Sequence, residues 1–245
     1  KVIKTARQFG IASPLGNNLS LALGTSGVSS LEMASAYSMI ANLGVYNGPY
    51  FIQRIEDFRG NTLYENFYHG IQRYAPKSIY PLLNMMQGVV DGGTGRVVRR
   101  MGFKHPAAGK TGTTNSSKDA WFNGFTKDFS TSVWVGFDNN DPMVHRSGRG
   151  LTGGRAAAPI WVFYMQQALQ GKNPIKFPIP EGIKFEKVDV QSGTLVDDQS
   201  AESMNVALKE ETIIPPRAIE PADTLMDQVP AEDSTTSELN NVPNP

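Results

Sequence analysis

Hydrophobic residues recur at helical spacing in several stretches of this chain. In the clearest stretch, from Ser29 to Gly44, Ser29 can cap the N-terminus and Glu32 can complete a capping box. Gly44 is a typical residue to follow the end of such a helix. The apolar positions follow the 3, 4 spacing of one buried face. The residues predicted on that face are Met33, Ala34, Tyr37, Ile40 and Ala41.

Three other stretches also predict helices. Residues 1–9 read as part of a helix that stops at Gly10. Residues 79–90 predict a helix with Pro81 in its first turn, where the missing N–H costs little. Residues 155–169 predict a third, and the residues predicted on one face of it are Ile160, Phe163, Tyr164 and Ala168.

Strand patterns lie between these helices. Residues 50–57 predict a strand that returns through a turn at 59–61 to a partner at 62–64. Three more strands are predicted in a row, and the short connection between the last two makes them an antiparallel hairpin. Their ranges are 107–114, 121–126 and 131–137. Helices before and after an antiparallel sheet predict an α+β fold with helices packed on the sheet faces.

The pattern of residue types changes towards the C-terminus. Residues 185–196 alternate like one or two strands with a turn at Ser192-Gly193. The segment from Pro215 onward is rich in proline and acidic residues, and it predicts a disordered tail or linker. We therefore expect one main domain over residues 1–184, a short β-rich extension over 185–214 and a tail over 215–245.

Composition and charge exclude several classes of function and several kinds of site. The 245 residues contain 23 Lys and Arg against 23 Asp and Glu, which argues against nucleic-acid binding by bulk electrostatics. The chain has no Cys, so disulfides, Cys-ligated zinc and thiol catalysis are excluded. Its three histidines lie far apart, so we expect no metal site.

The segment 109–114 (GKTGTT) is the strongest candidate for chemistry. A phosphate-binding loop would need glycine at position 104, where Lys104 stands, and would need to open a helix. In a strand, Thr111 and Thr113 would share one face and could hold a carboxylate, with a backbone N–H stabilising an oxyanion. The third interpretation is a strand of small residues packed under a helix. The residues alone do not decide between this packed strand and the strand that binds a carboxylate.

Two other motifs are weaker. Residues 148–153 match G-x-G-x-x-G, but a loop precedes them instead of the strand that dinucleotide binding requires, so we expect a structural loop. Ser117, Asp119 and His145 could suggest a triad, but no G-x-S-x-G elbow occurs in the chain. We expect Asp119 to anchor a loop.

Five blocks together resemble the C-terminal part of the transpeptidase domain of class A, bifunctional penicillin-binding proteins, with the closest resemblance to the 1A type. They cover residues 19–57, 89–98, 107–126, 131–139 and 152–165. That family carries S-x-x-K, S-x-N and K-T-G motifs. Only the third occurs here in family order, as residues 110–112, because no Ser has Lys three residues on. Residues 203–205 (SMN) follow the K-T-G and are interpreted as coincidence.

The resemblance implies an incomplete penicillin-binding fold and a peptidoglycan D,D-transpeptidase acting in cell-wall synthesis. Lys110 and Thr113 would be catalytic, and the substrate-binding residues would be Thr111, Gly112, Thr113 and Thr114. The expected partners are the D-Ala-D-Ala stem peptide, β-lactams and a preceding part of the same protein. That part would carry the nucleophilic Ser, a glycosyltransferase domain and a membrane anchor. No cofactor is implied.

Two alternatives accompany this expectation. One is a serine β-lactamase or D,D-carboxypeptidase of the same superfamily, and the other is a non-catalytic scaffold that kept the fold. The intact GKTGTT segment argues against the scaffold. The resemblance also implies a location at the periplasmic face of the bacterial inner membrane, with the anchor outside this chain.

Overall fold

The computed structural model describes residues 1–67, 69–196 and 203–215. Its α-helices are α1 (Val2–Gln8), α2 (Ser30–Ala41), α3 (Pro76–Asp91), α4 (Val97–Arg100) and α5 (Ala157–Ala168). A 3-10 helix covers Leu19–Leu23. The strands are β1 (Val45–Tyr46), β2 (Arg54–Glu56), β3 (Thr62–Glu65), β4 (Ile71–Gln72), β5 (Ala108–Thr113), β6 (Asp119–Phe125), β7 (Ser130–Gly136), β8 (Ile183–Asp189) and β9 (Ser203–Lys209).

An antiparallel sheet of three strands, in the order β5-β6-β7, organises the fold. Phe122 and Phe125 lie three residues apart on β6 and therefore point to opposite faces. Phe122 is buried with Trp161 of α5, whereas Phe125 is buried with Ile40 of α2 and Leu83 of α3. Helices cover both faces of the sheet, which confirms the predicted α+β class.

The capping box at the start of α2 is confirmed. The Ser29 hydroxyl accepts the Glu32 N–H at 3.2 Å, and Glu32 Oε2 accepts the Ser29 N–H at 2.8 Å. Glu32 also accepts the N–H of Ala12 at 2.7 Å and both the N–H and the hydroxyl of Ser13 at 2.6 Å. Desolvation alone would raise the pKa of Glu32, but these hydrogen bonds outweigh it and lower the pKa to about 2.

The buried face of α2 is rotated from the predicted one. Ile40 and Ala41 are buried as predicted, but Met33, Ala34 and Tyr37 are only partly covered. The fully buried positions are Ser35, Ala36, Met39, Ile40 and Ala41. Small residues on this face let the helix lie close to β7, where the Ser130 hydroxyl donates to the carbonyl oxygen of Ala34 at 2.8 Å.

Helix α3 begins earlier than the sequence predicts. Pro76 is its first residue, so it is Pro76 that occupies the first turn, where the missing N–H has no intrahelical partner. Pro81 lies inside the helix, and its predicted place in the first turn was wrong. A proline there leaves the carbonyl oxygen of Lys77 without its usual partner four residues on. Burial holds the helix in place through Ile79, Tyr80, Leu83, Met86 and Val90.

The predicted face of α5 was also wrong. Ile160, Phe163 and Tyr164 are 49%, 63% and 55% exposed. The helix instead buries Ala157, Ala158, Trp161, Val162 and Met165. The two alanines allow close approach to the sheet, and Gly124 leaves room for the Trp161 ring, since a Cβ at Gly124 would lie 3.0 Å from Trp161 Cε2. Trp161 Nε1 also donates to the Gly124 carbonyl oxygen at 3.2 Å.

Three smaller pairs of antiparallel strands lie outside this sheet in the described residues: β1 with β4, β2 with β3, and β8 with β9. The β2–β3 hairpin is confirmed around its turn, but its first strand is shorter than predicted, and both strands are exposed. Strand β8 pairs with β9, a strand that the sequence pattern did not reveal. Beyond the turn at Gly193, the predicted second strand is reduced to a bridge between Val188 and Leu195. The Ala207 N–H joins this pair to α3 by donating to Asn84 Oδ1 at 3.0 Å.

The predicted division into residues 1–184, 185–214 and 215–245 stays a prediction, and residues 216–245 lie outside the described part of the chain. Within residues 1–67, 69–196 and 203–215, no helix is both long and apolar enough to cross a membrane.

Candidate active site

Strand β5 carries the K-T-G residues on an open edge of the central sheet. Lys110 pairs with Asn123 and Thr113 with Ala120 on β6. Along its other edge, β5 has no ladder partner within the described residues. The strand is therefore an edge strand, and a ligand with an extended backbone could lie beside it.

The pairing pattern decides which backbone groups face this edge. The Thr114 N–H donates to the Asp119 carbonyl oxygen at 3.2 Å, so this is a hydrogen-bonded pair. Hydrogen-bonded and non-hydrogen-bonded pairs alternate along an antiparallel ladder. The N–H groups of Thr113 and Thr111 therefore point away from β6. The Thr113 N–H is placed to meet an acceptor outside the sheet.

The threonine hydroxyls lie at the same edge with defined partners. Thr111 Oγ1 is 2.8 Å from Thr94 Oγ1. Thr113 Oγ1 accepts the N–H of Gly153 at 3.0 Å. A hydroxyl that accepts a hydrogen bond keeps its own hydrogen for another acceptor. Thr113 is exposed and Thr111 is partly exposed, so both can be reached by a ligand.

Lys110 supplies positive charge at this edge. Its side chain starts on the opposite face from Thr111 and returns over the strand edge, where Nζ donates to the Thr111 carbonyl oxygen at 2.8 Å. Nζ also lies 3.5 Å from Thr111 Oγ1. The described residues offer it no carboxylate partner within ion-pair distance. Together with two hydroxyls and an outward N–H, this ammonium forms a surface suited to an anionic group.

Gly112 and Thr114 shape the strand and the turn that follows it. A Cβ at Gly112 would lie 3.1 Å from Trp121 Cβ, which is tighter than ordinary contact. Thr114 Oγ1 accepts the N–H groups of Lys118 and Asp119, both at 2.9 Å, and so closes the turn between β5 and β6. These contacts give the two residues structural roles, and their predicted contact with substrate stays a prediction.

Two residues at this edge were missed by the sequence analysis. The loop over 148–154 is the predicted structural loop, but it also places Gly153 on β5, where a Cβ would overlap the carbonyl oxygens of Gly112 and Trp121. Thr94 lies between Gly93 and Gly95 after α3, and the sequence analysis gave it no functional role. Its two flanking glycines were the only sequence signal, since they indicate a tightly constrained loop.

No hydrogen bond links the side chains of the residues that suggested a triad, all of which lie in the described part of the chain. Asp119 Oδ1 accepts the indole N–H of Trp134 at 2.8 Å, a bond that joins β6 to β7, so the predicted anchoring of a loop by Asp119 stays a prediction. His145 Nδ1 is 3.0 Å from Ser147 Oγ within its own loop. The carbonyl oxygen of Ser117 accepts the Met143 N–H at 2.9 Å. Across the described part of the chain, no group of three or more His, Asp or Glu side chains is arranged to hold a metal ion.

Comparison with known proteins identifies this arrangement. Residues 6–161 match the family model for the penicillin binding protein transpeptidase domain. An antiparallel sheet between helices, with GKTGTT on its edge strand, is thus a transpeptidase-type fold, and the chain belongs to the penicillin-binding protein transpeptidase family.

Within that family the resemblance to the 1A type is confirmed. The chain is 40% identical over 183 residues to penicillin-binding protein 1A of Neisseria gonorrhoeae, covering 72% of this chain and 22% of that protein. The crystal structure of penicillin-binding protein 1A from Haemophilus influenzae superposes with a TM-score of 0.72 at 26% identity, covering 84% of this chain and 36% of the other. PonA1 of Mycobacterium tuberculosis, in complex with penicillin V, gives a TM-score of 0.62 at 29% identity over 73% and 52%.

Proposed function

We propose that this chain forms the carboxylate-binding side of a peptidoglycan D,D-transpeptidase site. The observation that carries the proposal is the open edge of β5, where two threonine hydroxyls, the Thr113 N–H and the Lys110 ammonium lie together. Membership of the transpeptidase family supports it. The chain spans 22% of the length of the Neisseria relative, so the activity of a whole protein is part of the proposal.

In the proposed reaction, a serine hydroxyl attacks the carbonyl carbon between the two D-Ala residues of a stem peptide. The serine loses its proton, the peptide C–N bond breaks, and terminal D-Ala leaves with a proton on its amine. An amine of a second stem peptide then attacks the acyl-enzyme, which forms the crosslink and frees the serine. The nucleophile would come from a segment carrying S-x-x-K, a motif that no Ser of this chain completes.

The residues of β5 would bind and stabilise negative charge on the substrate during this reaction. The Thr111 and Thr113 hydroxyls would donate to the terminal carboxylate of the substrate, and Lys110 would add positive charge and hydrogen bonds towards the S-x-N serine. The Thr113 N–H would stabilise the oxyanion together with the N–H of the nucleophile. Loss of one such donor costs roughly 10²–10³ in rate in other enzymes.

β-Lactams carry an anionic group and a reactive carbonyl, so they would occupy the same edge. The PonA1 relative is known in complex with penicillin V, and that likeness supports extending drug binding to this family member. Because the proposed reaction acts on peptidoglycan, we also propose that the site lies at the periplasmic face of the bacterial inner membrane. An anchor outside this chain would hold it there.

Covalent labelling with a fluorescent penicillin tests the proposal. We expect no label on the isolated chain and clear label once the chain is joined to a transpeptidase segment carrying S-x-x-K and S-x-N. In the joined protein, Lys110→Ala should sharply weaken labelling, whereas Lys104→Ala removes the same charge from an exposed loop position and should not.

Two outcomes would contradict the proposal. The first is robust labelling of the isolated chain, because it would place the nucleophile here. The second is the absence of labelling in the joined protein. Crosslinked product, rather than free D-Ala alone or hydrolysed drug, would separate a transpeptidase from a carboxypeptidase or a β-lactamase.

A further inference from the structure

The loop that follows α3 holds a third hydroxyl at the open edge of β5. Thr94 Oγ1 lies 2.8 Å from Thr111 Oγ1. The loop has little freedom, because a Cβ at Gly93 would lie 2.9 Å from Val89 Cα, and one at Gly95 would lie 3.3 Å from Phe122 Cε2. The Gly95 N–H also donates to the Val89 carbonyl oxygen at 2.9 Å. Thr94 is therefore fixed in place by the packing of its neighbours.

The direction of the hydrogen bond between the two hydroxyls matters for a ligand. Each hydroxyl has one hydrogen to donate. If Thr111 donated to Thr94, it would offer an anion no hydrogen. If Thr94 donates to Thr111, the Thr111 hydrogen is free to point out of the edge. When an anion accepts the Thr111 hydrogen, the contact between the two hydroxyls can persist only if Thr94 is the donor, and the other lone pair of Thr111 Oγ1 still faces the Lys110 ammonium at 3.5 Å.

We propose that Thr94 is a positioning residue for carboxylate recognition: it donates to Thr111 Oγ1 and so directs the Thr111 hydrogen towards the anionic end of the ligand. This inference rests on the proposed function. The ligands concerned are those with a carboxylate next to the scissile amide, whether a peptide C-terminus or a β-lactam. A chain of hydroxyl donors ending on an anion is strengthened by polarisation along it, so losing the first member weakens the last.

The test compares carboxylate and ester ligands on the joined protein described above. Second-order acylation rate constants are measured with benzylpenicillin and with its methyl ester for the wild type, Thr94→Val and Thr94→Ser. We expect Thr94→Val to lose about fivefold against the acid, the size of one ordinary hydrogen bond, and to leave the ester rate unchanged. Thr94→Ser keeps the hydroxyl and should restore the acid rate.

If Thr94 had a purely structural role, Thr94→Val would lower the acid rate and the ester rate together. That result, or an unchanged acid rate in Thr94→Val, would overturn the inference and leave the proposed function intact. Failure of the wild type to react with penicillin would instead remove the proposed function, and this inference with it. Thr62→Val, at an exposed position on β3, is the matched control and should change neither rate. Melting temperatures of all variants identify any loss of folded protein.

Discussion

Replacing Gly153 with alanine should displace the loop that lies on β5. A Cβ at this position would overlap the carbonyl oxygens of Gly112 and Trp121, which are backbone atoms of the sheet and cannot rotate away. The loop backbone must therefore shift outward. That shift moves the Gly153 N–H away from Thr113 Oγ1, which it now meets at 3.0 Å.

The size of the effect follows from those two contacts. Overpacking a close-packed contact costs about 1–3 kcal/mol, and a typical hydrogen bond contributes about 1 kcal/mol. We therefore expect Gly153→Ala to lower the free energy of unfolding by about 2–4 kcal/mol. For a chain of this size the melting temperature should fall by about 4–16 °C.

Thermal unfolding of the isolated chain, followed by circular dichroism, measures this change. Gly88→Ala is the matched control, because Gly88 lies inside α3 with nothing within 4 Å of an added Cβ. That variant should be more stable by about 0.5–1 kcal/mol, since alanine is the better helix former. An unchanged melting temperature for Gly153→Ala would mean that the loop does not press on β5, contrary to the close approach of Gly153 to the sheet.

The other predictions concern the core, the α2 cap and the reactive edge. Trp161 is fully buried between Phe103 and Phe122, so Trp161→Ala should cost about 3–5 kcal/mol in chemical denaturation. The hydrogen bonds that hold the pKa of Glu32 at about 2, below its usual value of 4.5, stabilise the fold above pH 4.5, and this contribution is lost as the pH falls towards 2. Glu32→Gln should therefore be less stable than the wild type at neutral pH, and the difference in their free energies of unfolding should become smaller in acid. Lys110→Ala in the joined protein should slow penicillin acylation while leaving the melting temperature of the chain nearly unchanged, since Lys110 is exposed.

Each of these has a contradicting result. A loss under 1 kcal/mol for Trp161→Ala would mean that α5 is not packed on its face of the sheet as described. If the stability difference between Glu32→Gln and the wild type stays constant from neutral pH to pH 2, the cap does not depend on the carboxylate charge. An acylation rate for Lys110→Ala equal to that of Lys104→Ala would remove Lys110 from the site.

Local sequence was enough to predict the elements whose signals are local. The capping box of Ser29 and Glu32 depends on residues three apart, and the β6–β7 hairpin depends on a short turn, so both were confirmed. The GKTGTT strand was predicted for the same reason, because β-branched threonines between loops favour an extended backbone.

Features that depend on distant partners were missed or wrong. The exposed face of α5 is as apolar as its buried one, so periodicity alone could not decide that Trp161 and not Phe163 meets the sheet. The start of α3 was misplaced because Pro76 and Pro81 are equally good first-turn signals in sequence. Thr94 and Gly153 reach β5 only through the tertiary fold, from positions 17 and 40 residues away from their partners.

A crystal structure of the penicillin acyl-enzyme formed by the joined protein would show directly which groups β5 presents to the ligand. We expect the penicillin carboxylate within hydrogen-bond distance of Thr111 Oγ1 and Thr113 Oγ1, and the acyl carbonyl oxygen facing the Thr113 N–H. An acylated enzyme whose carboxylate lies away from both threonines, with another group on the Thr113 N–H, would contradict the account.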